Sequence, residues 1–127
     1  MAQKMEIKII FEEIEKWRKC LEIKRYSMFK NNKEISFVRI IKYSEKNYVI
    51  EGVWTDEEER HNGYSTTLFQ QLKNDYIGIN ICLSCFKELV PFYENLGFKD
   101  CTYKNPHNDG KIIVNMEIVP TSISLPK

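Results

Sequence analysis

Between Tyr26 and Trp54, three stretches rich in β-branched and aromatic residues are separated only by short polar ones, and this spacing constrains the fold more than any other feature. Tyr26 to Lys30 and Ile35 to Tyr43 flank Asn31-Asn32-Lys33-Glu34, and Glu45-Lys46-Asn47 then leads into Tyr48 to Trp54. Connections this short join antiparallel neighbours, because a parallel pair needs a crossover of roughly a dozen residues or more. An antiparallel meander is therefore predicted.

On the N-terminal side, Glu6 to Phe11 reads as a further strand. Glu12 to Lys24 places Ile14, Trp17, Cys20 and Leu21 near helical spacing, which predicts an amphipathic helix. After the meander the pattern changes. A charged connection, Thr55 to Arg60, precedes Gly63, and Tyr64 to Asn74 sets Leu68 and Leu72 one helical turn apart. Ile79 to Cys85 has the length of a buried strand. Lys87 to Leu96 groups Leu89, Phe92, Tyr93 and Leu96 at helical spacing, with Gly97 placed as a C-terminal cap. Phe98 to Tyr103 and Lys111 to Val119 are predicted to close a hairpin around Asn105 to Gly110, and the tail 120–127 is expected to fray. The fold class is thus mixed α/β, of the α+β kind, with a mixed central sheet, an antiparallel N-terminal meander and flanking helices.

No repeat or Pro/Gly/Ser-rich linker divides the chain, and 127 residues suffice for one cooperative core, so residues 1–127 are expected to form a single domain. The balance of 19 basic against 18 acidic residues gives no long-range positive field, so neither nucleic acid nor a membrane surface is expected as a partner. Lys8 interrupts the first apolar stretch, which resembles neither a signal peptide nor a membrane span, and a cytoplasmic location is expected. The four cysteines, Cys20, Cys82, Cys85 and Cys101, are too few and too irregular for a disulfide framework and read as reduced thiols. Cys82 and Cys85 lack a second pair, and His61 and His107 lack ligand spacing, so no metal is predicted. Asp56-Glu57-Glu58-Glu59 reads as a solvated run that, near a cleft, would favour a cationic acceptor.

The segment that carries chemistry is the strand Tyr48 to Trp54, the loop Arg60-His61-Asn62-Gly63-Tyr64-Ser65 and the helix after it. A helix N-terminus presents unpaired N–H groups and partial positive charge, and a glycine there lets an anion approach the main chain. One glycine before a helix is also ordinary turn chemistry. The second informative segment, Leu89-Val90-Pro91-Phe92-Tyr93-Glu94-Asn95-Leu96-Gly97-Phe98, lies one strand further on.

Together the two segments resemble the GNAT superfamily of acyl-CoA-dependent N-acyltransferases. That family's pyrophosphate loop reads Arg or Gln, any, any, Gly, any, Gly or Ala. Arg60 to Ser65 matches it except at Ser65, whose hydroxyl would either bond a phosphate oxygen or crowd it. Phe92-Tyr93-Glu94 and Gly97-Phe98 reproduce the family's late helix and turn, and the wording from Leu89 to Tyr93 is similar to arylalkylamine N-acetyltransferases. Ser84-Cys85-Phe86-Lys87 departs from the family, many of whose members carry an asparagine there.

The resemblance implies a GNAT fold and transfer of acetyl from acetyl-CoA to a primary amine on a small molecule or peptide, by direct attack in a ternary complex. It implies that Val53, Trp54, Thr55, Arg60, His61, Asn62, Gly63, Tyr64, Ser65, Thr66, Cys85 and Tyr93 line the cofactor site. The pantetheine arm would enter a V-shaped opening between the Val53 and Leu83 strands. Tyr93 stands where the family carries its general acid; the structural alternative is a core tyrosine with a satisfied hydroxyl. Alternation puts Val49, Glu51 and Val53 on one strand face, making Glu51 an acid among apolar neighbours. Glu51 is then either a base, or the holder of a water acting as one, or the ion-pair partner of Arg39 or Lys42. A non-catalytic acyl-CoA-binding or regulatory module on the same fold is the competing reading, and an interaction protein that binds no CoA is a third. The short N-terminal region leaves a shallow acceptor site unless a second subunit completes it in a homodimer.

Overall fold

A computed structural model of the chain describes residues 3–101 and 113–118. Among these residues, seven strands form one mixed sheet in the order β1-β2-β3-β4-β5-β7-β6. β1 (Met5–Phe11) pairs antiparallel with β2 (Glu22–Lys30) and so extends the expected meander, which β2 makes with β3 (Lys33–Ser44) and β4 (Asn47–Thr55). Asn31 and Asn32 turn the β2–β3 hairpin with φ of 51° and 68°. Two consecutive left-handed residues match the right-handed strand twist, and asparagine tolerates that conformation better than most side chains.

After β4, the helix α1 (Tyr64–Asp75) crosses to β5 (Ile81–Phe86), which runs parallel to β4. A 3-10 turn at Lys87–Leu89 leads into α2 (Val90–Asn95), then β6 (Lys99–Asp100) and β7 (Ile113–Ile118), which inserts between β5 and β6. The expected helix from Lys87 to Leu96 is thus split. Continuing α-helical geometry back to Lys87 would set the Pro91 ring against the carbonyl four residues earlier, so the regular helix starts just before the proline. The expected hairpin turn at 105–110 and the tail 120–127 lie outside the described residues.

The helix expected over Glu12 to Lys24 does not form. The ladder between β1 and β2 runs from Met5↔Lys30 to Phe11↔Lys24, and Ile23 is buried in the sheet, so the last three residues of that segment, Glu22 to Lys24, are strand. Residues 12–21 form an irregular loop stitched at both ends, by Glu12 N–H to Ile23 O (2.9 Å) and Leu21 N–H to Lys42 O (2.7 Å). Ten helical residues would span about 15 Å, whereas adjacent strands stand about 5 Å apart. The Glu12 carboxylate instead accepts from Arg25 (3.1 Å) and Arg39 (3.0 Å) across the sheet face opposite α1, and Trp17 is 76% exposed.

The core lies between the sheet and the two helices. Tyr26, Val38, Ile40, Leu68, Phe69, Leu72 and Met116 are fully or almost fully buried there. Phe69 meets Phe92, Tyr93 and Phe98 edge-on at centroid separations of 6.3, 5.8 and 6.0 Å. That geometry favours aromatic pairs beyond their area burial.

The buried Tyr26 hydroxyl donates to Asp75 Oδ2 at 2.6 Å and ties β2 to the C-terminal end of α1. Burial first, and then the Asp75 carboxylate, hold the phenol well above the usual tyrosine range. Because folding raises this pKa, the stability it contributes is complete below about pH 10, the unfolded value, and is lost as pH rises beyond it. Tyr26→Phe should cost about 1–2 kcal/mol at neutral pH. It should also flatten the loss of melting temperature above about pH 10, as read by melting curves of both proteins across that range.

Candidate active site

One extra residue in β4 shapes the site. Val38 pairs with Val53 but Ile40 pairs with Ile50, so Glu51 and Gly52 together oppose Arg39 in a bulge, and Gly52 takes a φ of 109° that other side chains rarely adopt. Before the bulge Tyr48 and Ile50 turn toward the helices; after it Val53 and Thr55 do. The expectation that Val49, Glu51 and Val53 share one face is therefore corrected: strict alternation ends at Gly52. A lone glycine inside a strand pattern was the available signal.

Beyond the bulge β4 and β5 separate. Their parallel pairing consists of Tyr48↔Ile81 and Val49↔Cys82, after which the strands diverge into the V-shaped opening expected between Val53 and Leu83. An inner cavity of about 270 Å³ occupies it, lined among others by Ile50, Gly52, Val53, Ser84, Cys85 and Tyr93. An outer cleft of about 680 Å³ is walled by Val53, Trp54, Thr55, the loop from Glu59 to Gly63, the first turn of α1 from Tyr64 to Thr66, and Leu89, Phe92 and Tyr93. The two cavities share Val53, Leu89 and Tyr93. The structure thus gathers Val53, Trp54, Thr55, Arg60, His61, Asn62, Gly63, Tyr64, Ser65, Thr66 and Tyr93 around the outer cleft and places Cys85 in the inner one. Glu59, Leu89 and Phe92 join the wall, although the sequence reading did not place them in the cofactor site.

The loop is pinned at several points. Asp56 caps a 3-10 turn at Glu57–Glu59, Lys30 Nζ donates to Glu59 at 2.8 Å, and Asn62 Nδ2 donates to the Glu59 carbonyl at 2.9 Å. The acidic run is therefore partly neutralised structure, not a freely solvated one. Gly63 enters α1 at φ 76° with no side-chain cap, so the N–H groups of the first turn lack a side-chain partner where Gly63 to Thr66 wall the cleft beside Arg60. A Cβ at Gly63 would meet nothing within 4 Å, so glycine is required by the backbone angle and not by crowding. The Ser65 hydroxyl is engaged with the sheet: its Oγ bonds Thr55 Oγ1 at 2.8 Å, Thr55 bonds Ser36 at 2.8 Å, and Ser36 donates to the Trp54 carbonyl at 2.9 Å. The serine thereby tethers the first turn of α1 to the sheet.

Tyr93 is buried at 7% exposure, packed against Phe69, Phe92 and Phe98, and its hydroxyl bonds no group among the described residues. Its pKa is pushed up to about 12, chiefly by burial and then by neighbouring Cys85. The Cys85 thiol is itself pushed up, again chiefly by burial, with Asp100 adding to it.

Glu51 lines neither cavity. Its carboxylate accepts a short hydrogen bond from the Tyr43 hydroxyl, and that bond, ahead of burial, raises the Tyr43 pKa. The ion pairs weighed for Glu51 go elsewhere, since Arg39 joins Glu12 and Lys42 joins Glu45. Cys82 and Cys85, three apart on a strand, fall on opposite faces, where they cannot share a ligand. No cluster of three metal-ligating side chains occurs among the described residues.

The acetyltransferase (GNAT) domain model matches residues 3–120. No curated protein matches the chain. Among solved structures, Escherichia coli ElaA superposes with a TM-score of 0.61 at 22% identity, over 76% of this chain and 68% of that one. The PaiA N-acetyltransferase of Thermoplasma acidophilum, solved in complex with coenzyme A, gives 0.61 at 18% over 76% and 60%. The ribosomal-protein-S18-alanine N-acetyltransferase of Escherichia coli gives 0.59 at 18% over 86% and 76%. With that domain matched along nearly the whole chain, and with the strand opening, glycine-led helix and buried tyrosine in place, the chain belongs to the GNAT acetyltransferase family.

Proposed function

We propose that this protein transfers acetyl from acetyl-CoA to a primary amine, on a small molecule or a peptide, by direct attack in a ternary complex. The observation that carries this reading is the Tyr93 hydroxyl, without a hydrogen-bond partner among the described residues, in the wall that the two cavities share. The outer cleft suits the pyrophosphate, which would meet the first-turn N–H groups of α1 with Arg60 and His61 beside it. The inner cavity suits the acyl end of the pantetheine arm, which would run between β4 and β5 along Val53 and Cys85.

In the proposed step the amine nitrogen attacks the thioester carbonyl carbon, the C–S bond breaks, and the departing thiolate takes the Tyr93 proton. A phenol near pKa 12 is a weak acid toward a thiol in water, but the same dry surroundings that raise it also raise a thiol, as Cys85 illustrates. Acid and leaving group are thereby kept closer in strength. The amine's own proton leaves on the opposite side of the sheet, where we assign Glu51, held by Tyr43, as base or water-holder. That Glu51 lines neither cavity favours the rival reading, a CoA-binding module without turnover.

Melting with and without acetyl-CoA, followed by thiol release over a panel of amines and peptides, separates these readings. Saturation at a hundred times the dissociation constant adds about 2.7 kcal/mol, an upward shift of several degrees. No shift would remove both readings, and a shift without thiol release from any acceptor would support the module. Glu51→Gln should lower kcat by about tenfold or more; an unchanged rate across the pH range would release Glu51 from the mechanism.

A further inference from the structure

The apolar layer beneath α1 continues one strand further than the helix covers. On β2, Tyr26 and Met28 are buried on this face, and directly opposite them on β1 stand Ile9 and Ile7, 43% and 37% exposed. Met5 and Phe11 extend the same row at 40% and 65%. Four large apolar side chains at every second position thus lie uncovered along an edge strand that, among the described residues, pairs only with β2.

The hydrogen-bonding parity of β1 is fixed by its ends. Lys4 N–H donates to Asn31 Oδ1, Lys4 O accepts from Asn31 N–H, and Glu12 N–H donates to Ile23 O, so the even-numbered residues turn their backbone groups toward the β2 side. The odd-numbered residues Met5, Ile7, Ile9 and Phe11 therefore direct N–H and C=O outward, ready for another strand.

We propose that β1 pairs antiparallel with β1 of a second copy of this chain, about a twofold axis through Ile7, joining the two sheets and closing the apolar row on itself. The register follows from charge. Centred on Lys8, the pairing would set two ammonium groups directly opposite in the closer, non-hydrogen-bonded position; centred on Ile9, it would set Glu6 against Glu12. Centred on Ile7, it sets Glu6 opposite the second copy's Lys8 twice over, with Met5 against Ile9 on the other face. Outward-directed residues also meet only outward-directed ones in this register. The interface is isologous, so it stops at two copies.

Sedimentation of the full chain across a wide concentration range tests this. The unaltered chain should dimerise, while Glu6→Lys and Lys8→Glu should each weaken the dimer by at least about tenfold through like charges placed opposite one another. An equimolar mixture of the two variants should recover the dimer, because each supplies the charge the other lacks. Melting curves close to that of the unaltered chain would show that the variants fold. A monomer up to the solubility limit, a larger assembly, a dimer indifferent to both substitutions, or no recovery on mixing would each overturn the proposal.

Discussion

Tyr93→Phe is expected to lower kcat by about 100-fold while leaving the KM for acetyl-CoA within a few-fold. The ring that packs against Phe69, Phe92 and Phe98 is retained, so the cleft wall and the fold should survive, and only the proton donor is removed. Steady-state kinetics at saturating acceptor make the split visible: loss in kcat without loss in binding marks an interaction made in the transition state. The pH profile adds a second readout. With a pKa of about 12, Tyr93 stays protonated through the usual assay range, so it imposes no fall in rate as pH rises through 8, 9 or 10. A basic limb in that range that vanished in the phenylalanine variant would show that the acid has a much lower pKa when substrate is bound. A variant with full kcat and reduced stability would make Tyr93 a core residue only.

Phe69→Ala should have the largest effect on stability, about 3–5 kcal/mol, and lower the melting temperature on the order of 10–20 °C. Phe69 has no exposed surface and holds three other rings edge-on, so truncation leaves a cavity that neighbouring helices and strands can close only in part. Phe69→Leu should cost clearly less. Below the lowered melting temperature the alanine variant should still bind acetyl-CoA, since α1's first turn and Arg60 are untouched, but should turn over more slowly because Tyr93 loses a rigid neighbour. Calorimetric melting and initial rates of all three proteins distinguish this from simple loss of folded enzyme.

The meander, α1 and the late helix were legible because local chemistry and tertiary packing agree there. Asn31-Asn32 suits a tight turn, Gly63 and Gly97 stand at helix ends with φ of 76° and 100°, and Leu68, Phe69 and Leu72 bury one helical face. The segment from Glu12 failed because its helical spacing of Ile14, Trp17 and Leu21 competed with the pull of β2, whose pairing with β3 claims Ile23 for the sheet while Trp17 is left outside. The Glu51 face failed for a different reason: period-two reasoning has no place for an inserted residue, and the glycine that marks it was read as an ordinary strand position. Most of the cleft wall was readable because it is contiguous in sequence. Leu89 and Phe92 reach it from another element, and Tyr43 reaches Glu51 across a hairpin, so only the assembled sheet brings them there.

The chain of hydroxyls from Ser36 through Thr55 to Ser65 makes the first turn of α1 part of the sheet's own cooperative unit. Helix ends ordinarily fray and open before the core does. Here the first turn is held by a bond that runs through Thr55 to Ser36, the end pair of the β3–β4 ladder, so the rigidity of that turn is borrowed from two of the sheet's interior strands. Little ordering entropy is then left to be lost when a ligand arrives, and loosening this end of the β3–β4 ladder would be felt as weaker binding in the cleft.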